Sequence, residues 1–282
     1  MTSKRSNPGL PIFAWLMKLL WILGAAVCLF PVAWMILGSL KPTNQALYDH
    51  PFSLPDALAW KNYVQAVKEG RMGDYLINSI LVVSLSTVGT VVMGAWTGYA
   101  LGKREFPGRT LWLGAILLGT ILPVQATLFP LIRILQVLGL HDSLWALILA
   151  YIAQSLPPAI WLFAAYFQSI PPDLEEAARI DGASTWCFYT SILFPIAKPA
   201  IATVVVITCL NTWNEFLLAM LLILDPMKKT LPVGMVAFEA AHSTFYPALL
   251  AGLTLISVPT LLVYALFNRQ VMRGMVAGAV KS

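Results

Sequence analysis

A chain of 282 residues that is 59% hydrophobic and only 11% charged, with a mean hydropathy of +0.76, is not a soluble domain, in which about 25% of residues are charged. Its net charge of +5 is scattered over short loops and not gathered on one face, which argues against a nucleic-acid-binding surface. The apolar runs are continuous, not alternating, which excludes a β-barrel and leaves an all-α polytopic membrane protein.

Six runs are long enough for a bilayer core of ~30 Å, which takes ~20 helical residues. They predict spans at about 14–40, 75–102, 110–132, 143–168, 199–224 and 246–268, within one transmembrane domain over residues 1–282. The first is longer than the apolar core of a signal peptide, about 7–15 residues, and reads as a retained anchor. Between the first and second spans, Lys41–Asp74 carries Pro42, Pro51 and Pro55, then an amphipathic stretch from Trp60 to Val67 suited to the membrane interface. In the second span Ser86, Thr90, Gly94, Gly98 and Gly102 recur every fourth residue, a small-residue stripe that lets another backbone approach closely, within the subunit or across an interface. Pro123 and Pro130 in the third span, Pro157 and Pro158 in the fourth, and Pro259 in the sixth are candidate kinks. Cys28, Cys187 and Cys209 have no spacing that would pair them or bind zinc.

Lysine and arginine set the orientation. With the N-terminus inside, eleven of them fall on the cytoplasmic side and seven outside, and the long outer Lys41–Asp74 loop is offset by four acids. Both termini are therefore expected in the cytoplasm, together with a polar segment at 169–197.

That segment, Pro171–Pro195, places Glu175, Glu176, Arg179 and Asp181 within seven positions. Pro171 and Pro172 pre-set a helix start, Asp173 and the glutamates suit the positive helix end, and Gly182 is placed to terminate it. A second short helix is predicted from about Ser184 to Phe194, stopped by Pro195. Two short helices on the face of a membrane protein suggest a docking surface for a soluble partner.

In the fifth span Glu215 is the one acid. It lies about 25 Å from Lys198 at 1.5 Å per residue, in the outer part of the membrane, with Asn211 on the same helical face and Asn214 adjacent. A charge there is expensive and should face the bundle interior or a water-filled cavity. Asn211, Trp213, Asn214 and Glu215 form a candidate pathway-lining cluster that hydrogen-bonds solute hydroxyls or seals an outer gate. The alternative for Glu215 is a structural bond to a neighbouring helix or to a partner subunit. Trp213 would stack on a solute ring or simply pack. Arg133 is expected to snorkel, and His242 reads as an ordinary surface histidine.

The spacing Glu176-Ala177-Ala178, Gly182, Ile192 and Pro195 resembles the cytoplasmic EAA loop of permeases of binding-protein-dependent ABC importers. PPDLEEAARIDGAS is similar to the carbohydrate-uptake branch, as are Leu138-Gly139-Leu140 with Asp142 and Ser143, Trp213-Asn214-Glu215-Phe216, Leu231-Pro232-Val233-Gly234, and the tail from Arg273 to Lys281. The resemblance extends over most of the chain, with Phe194 where the pattern usually has leucine. It implies the shorter permease of a maltose or glycerol-3-phosphate type pair, in a bacterial inner membrane. Glu176, Ala177, Ala178, Asp181, Gly182 and Pro195 would couple to a dimeric ATP-binding subunit: Glu176 pairs with a basic residue there, the two alanines admit a close approach, and Gly182 gives the turn. Glu175 is expected to be the solvated neighbour. A second homologous permease, an extracytoplasmic solute-binding protein, membrane lipid and a sugar substrate complete the expected partners, and nucleic acid is not among them. The segments Lys41–Asp74 and Asp225–Thr244 are candidates to meet the binding protein.

The chain has no GxxxxGK[ST] loop, so no ATPase site, metal or cofactor of its own is expected. ATP and magnesium would be used by the separate ATPase. The same architecture importing glycerol-3-phosphate or a polyol is the near alternative, although no arginine cluster in the spans points to phosphate. An ATP-independent secondary transporter would leave the polar segment unexplained.

Overall fold

The computed structural model describes the backbone of residues 9–241 and 245–279 and the side chains of 15–238 and 245–265. His242, Arg273 and the tail that follows, as well as Lys4 and Arg5, lie outside the residues whose side chains are described. The helices are α1 (Gly9–Ser39), α2 (Asn44–Asp49), α3 (Lys61–Glu69), α4 (Met72–Lys103), α5 (Arg109–Ile121), α6 (Val124–Val137), α7 (Leu144–Gln168), α8 (Asp173–Ile180), α9 (Thr185–Cys187), α10 (Phe194–Ile196), α11 (Lys198–Asn214), α12 (Leu217–Leu222), α13 (Leu231–Ala241) and α14 (Tyr246–Ala279). A π-helical turn, Phe188–Leu193, joins α9 to α10. No strand occurs among the described residues.

Among the described residues four helices are long and apolar enough to cross a membrane, at Trp15–Ser39, Met72–Lys103, Leu144–Gln168 and Tyr246–Ala265. Two further candidates are bent pairs, so that the spans number six if each pair crosses once. Where one straight run was expected at 110–132, the chain turns by 103° between α5 and α6. Pro123 cannot continue a helix and drives Leu122 into extended backbone (φ −68°, ψ 121°), so the turn falls at that peptide. The run expected at 199–224 ends as a helix at Asn214, with Glu215 extended before α12 starts. Nor does Pro195 stop the second short helix. The helical stretch continues to Ile196 and bends by 73° into α11, the wider π-turn having already displaced the bonds the proline would interrupt.

The chain divides into two compact units, with boundaries inside α13 and α14: Met1–Gly70 with Ala237–Leu255, and Arg71–Val236 with Ile256–Ser282. In the first, the segment after α1 is organised from within. Lys41, fully buried, donates through Nζ to the carbonyls of Ala46 (3.2 Å) and His50, while Asn62 Nδ2 donates to the carbonyls of Ser39 (2.7 Å) and Lys41 (2.8 Å). A charge out of water is tolerated only with such a set of acceptors. The expected amphipathic stretch is α3. Most of α1 is exposed, Trp21 by 74%, an apolar surface that a soluble protein would not leave in water.

The second unit is built on α4 and α7. The small-residue stripe faces α7: a Cβ at Gly94 would sit 3.3 Å from Ala159 Cβ, and one at Gly102 would sit 2.8 Å from the Ala164 carbonyl oxygen. Ser86 Oγ donates to the Ile148 carbonyl at 3.4 Å. One buried cluster joins Val82, Leu147, Tyr151, Leu218 and Leu222, and a second joins Tyr99, Phe163, Phe167, Ala178, Phe188 and Leu193, seating the polar segment against the end of the pair. α7 runs unbroken through Pro157 and Pro158.

Candidate functional site

Three arrangements in the second unit bring polar chemistry together. The first is the segment from Pro171 to Pro195. The helix α8 starts on Pro172 and ends at Gly182, which has φ +77°, a backbone conformation that favours glycine, and open space where a Cβ would stand. Ser184 Oγ then accepts from the Cys187 amide at 3.2 Å and caps the second helical stretch. Glu176, Ala177, Asp181 and Pro195 are exposed, beside Ile180 (86% exposed) and Trp186. Ala178 is instead buried, packed inward with Tyr99 and Phe188, so of the two alanines only Ala177 lies on the outer face.

Glu175 corrects a second expectation. It is not a solvated neighbour but the hub of the segment: its carboxylate accepts from Tyr99 Oη (2.7 Å), Arg104 (2.7 Å) and Arg179 (3.0 Å). Partial burial alone would push this carboxyl up; the Tyr99 hydrogen bond and the Arg104 and Arg179 guanidiniums outweigh it and hold it below the ordinary range. Glu176 makes no ion pair among the described residues.

The second arrangement is a cavity of about 480 Å³ between α5, α7 and α11. Thr120, Gln154, Ser155, Thr208, Asn211 and Glu215 supply its hydrogen-bonding groups, among Leu122, Trp161, Leu162 and Ile207. Glu215 Oε2 accepts from Tyr151 Oη at 2.6 Å, and its two oxygens accept from the Leu218 and Ala219 amides at 2.8 and 3.2 Å. The carboxylate thus satisfies the amides freed where α11 breaks and α12 begins, which is why the helix can be interrupted deep in an apolar run. Asn211 and Glu215 line one cavity, as their shared face required. Trp213 and Asn214 do not. Trp213 lies in a separate apolar cleft with Ile80, Val83 and Pro259, and Asn214 Nδ2 turns back to the Leu210 carbonyl at 2.8 Å. Tyr151, Gln154, Ser155 and Thr208 were missed, although Thr208, Asn211, Thr212 and Glu215 recur at helical spacing and Gln154-Ser155 interrupt an apolar run.

The third is a clasp at the opposite end of α4 and α7. Asp142, in the left-handed region (φ 55°), accepts from the Leu224 and Asp225 amides at 2.9 and 3.0 Å, and Lys228 Nζ donates to its carbonyl at 3.0 Å. Asn78 Nδ2 donates to the carbonyls of Met227 and Lys229, and the Leu231 amide to Ser79 Oγ. The Asp225 amide, with that of Leu224 and with Lys228, lowers the Asp142 carboxyl despite desolvation. Arg133 stays exposed and donates to Gln136.

No cluster fit to hold a metal occurs among the described residues. A polar cavity within apolar helices, beside a surface segment fastened to the same helices, is the anatomy of a membrane transport component. The family model described as binding-protein-dependent transport system inner membrane component matches residues 90–276, and the chain belongs to that family, as a multi-pass inner-membrane transport subunit. It is 35% identical to the trehalose transport system permease protein SugB of Mycobacterium tuberculosis, over 90% of this chain and 92% of that one. It is 36% identical to the diacetylchitobiose uptake system permease protein NgcG of Streptomyces coelicolor, over 92% and 86%. In fold it matches a chain of a bacterial ABC transporter involved in the import of alginate, with a TM-score of 0.81 and 22% identity, over 95% of this chain and 99% of that one.

Proposed function

We propose that this chain is the permease subunit of an ATP-driven ABC importer, forming with a second homologous permease the pathway for a neutral sugar delivered by an extracytoplasmic binding protein. The observation that carries the reading is the exposed helix–Gly182–helix segment with Glu176 and Ala177 on its outer face, in a family whose similar members include permeases for trehalose and diacetylchitobiose. In this reading the protein crosses the membrane six times, α5 with α6 making one crossing and α11 with α12 another, with both termini and the segment in the cytoplasm, as the loop lysines and arginines favour.

Hydrolysis belongs to a separate dimeric ATP-binding subunit that uses ATP and magnesium. Glu176 meets a basic residue of that subunit in a charge-assisted hydrogen bond, Ala177 permits the close approach, and Gly182 sets the angle between the two helical stretches. Asp181 and Pro195 are exposed as well, while Ala178 anchors α8 to the permease from beneath. Closure of the ATPase dimer moves the segment and, with it, the helices that surround the cavity. Asn211, Gln154, Ser155 and Thr208 present neutral donors and acceptors suited to hydroxyls, and the one carboxylate, Glu215, is already engaged by Tyr151 and two amides.

The test is ATPase activity in lipid after co-purification with the products of neighbouring genes. Stimulation by a solute-loaded binding protein, lost in Glu176→Ala and in Gly182→Asp while the complex still assembles, is the expected result. A chain that captures no ATPase and supports uptake in vesicles without ATP would overturn the reading.

A further inference from the structure

We propose that Glu175 is a positioning residue that fastens α8 to the α4–α7 pair, so that displacement of the cytoplasmic segment moves those two helices as one body. The inference rests on the importer reading and concerns the part of the segment that faces away from the ATPase.

Three donors converge on one half-buried carboxylate, and two of them come from 76 and 71 residues away in sequence: Tyr99 of α4 and Arg104 just beyond its end. Tyr99 is buried, and it is the common point of the assembly. Its hydroxyl donates to Glu175, its ring meets Phe167 of α7 edge-on at 5.8 Å and Tyr189 of the π-turn at 4.6 Å, and the Arg104 guanidinium lies 5.4 Å from its centroid. A second link runs from Lys103 Nζ to the Ile170 carbonyl at the end of α7. Charge-assisted bonds to a partly desolvated carboxylate are about twice as strong as neutral ones, so the joint is stiff. Because the carboxyl titrates below the ordinary range, the joint is charged at neutral pH.

What it fastens to is stiff as well. Behind Tyr99 the two helices are in backbone contact at Gly98 and Gly102, and Gly94 packs on the Ala159 and Phe163 side chains, too close for one helix to slide freely past the other. The far end of the same pair carries the Asp142 and Asn78 clasp on the segment before α13. A push on α8 therefore enters a rod anchored at both ends. Without Glu175, α8 would be held by the apolar seat of Ala178 and by its covalent ends alone.

The experiment uses the full complex, reconstituted with its ATPase and binding protein, carrying Glu175→Gln or Tyr99→Phe, with Glu175→Asp as the conservative control. Neither residue lies on the surface proposed to meet the ATPase, so basal hydrolysis should stay within about twofold of the wild type. Solute uptake should fall roughly two- to thirtyfold, the range of measured losses along coupling networks, so that more ATP is hydrolysed per solute moved, and Glu175→Asp should restore part of it. Uptake and hydrolysis falling by the same factor, or uptake unchanged in both variants, would overturn the proposal. Should Glu175→Gln fail to assemble, Tyr99→Phe, which deletes one hydroxyl, carries the test. A wild-type complex without solute-stimulated hydrolysis would refute the importer reading and this one together, whereas intact stimulation with fully coupled variants would refute the fastening alone.

Discussion

Replacing Gly98 by alanine tests how closely α4 and α7 approach. The new methyl carbon would lie 2.5 Å from Phe163 Cβ and 3.1 Å from both the Ala164 amide nitrogen and the Ile160 carbonyl oxygen. None of these atoms is the end of a flexible side chain, so the helices must part by about 1 Å, a gap that forfeits a quarter to a half of the dispersion contact. Overpacking of this kind costs about 1–3 kcal/mol, and the neighbouring contacts at Gly94 and Gly102 loosen with it. Against this, alanine is favoured over glycine in a helix by about 0.5–1 kcal/mol. Gly114 of α5 isolates that second effect, because nothing lies within 4 Å of a methyl placed there. The propensity gain cancels between the two variants, which should therefore differ by about 1–3 kcal/mol, with Gly98→Ala the less stable. Thermal unfolding of the purified protein in detergent, at one fixed scan rate because such unfolding is commonly irreversible, should separate them by roughly 2–6 °C. A Gly98→Ala protein that melts at or above Gly114→Ala would refute the backbone-contact account of the stripe.

Glu215→Ala strands the amides of the buried Leu218 and Ala219 and the Tyr151 hydroxyl, about 1–3 kcal/mol for each group left unpaired. It should lower the melting temperature clearly, while Glu215→Gln, whose single carbonyl oxygen serves only some of the three donors, should recover part of the loss; if Gln is the more stable variant yet supports no more uptake than Ala, the charge itself acts in transport. For Asp142 the folded pKa lies below the ordinary aspartate value of 3.8, so its contribution is full above that value and is lost as the pH falls through the lower folded one. Asp142→Asn should accordingly destabilise at pH 7, and the difference from wild type should shrink below pH 3.8 in the same melting assay. Gly182→Ala meets no steric obstacle yet must adopt φ +77°, a strain of about 1–2 kcal/mol, so solute-stimulated ATPase activity should fall more in Gly182→Ala than in Gly182→Asn.

Much of this molecule is legible in its sequence because a bilayer removes the usual ambiguity. In hydrocarbon every backbone group must be satisfied internally, so an apolar run of span length has little choice but to be helical. The start of α8 at Pro172, its end at Gly182 and the cap at Ser184 follow from local backbone preferences, which a few neighbouring residues decide. The every-fourth-residue glycines declare a face of close approach for the same reason.

Rotation and distant pairing are different. Glu175 and Glu176 are indistinguishable as first-turn acids; only the arrival of Tyr99 and Arg104 makes one the hub and leaves the other exposed. Asn211 and Trp213 sit two positions apart on α11, which puts them on different sides of the helix, and the packing of α7 and α14 decides which side borders the cavity and which the cleft. The break after Asn214 has no proline or glycine to announce it. It exists because Glu215 and Tyr151 meet across 64 residues and supply the bonds an uninterrupted helix would have made. Helix formation is a local free-energy balance that residues three or four apart settle. Which faces meet is set by contacts that exist only once the helices have packed.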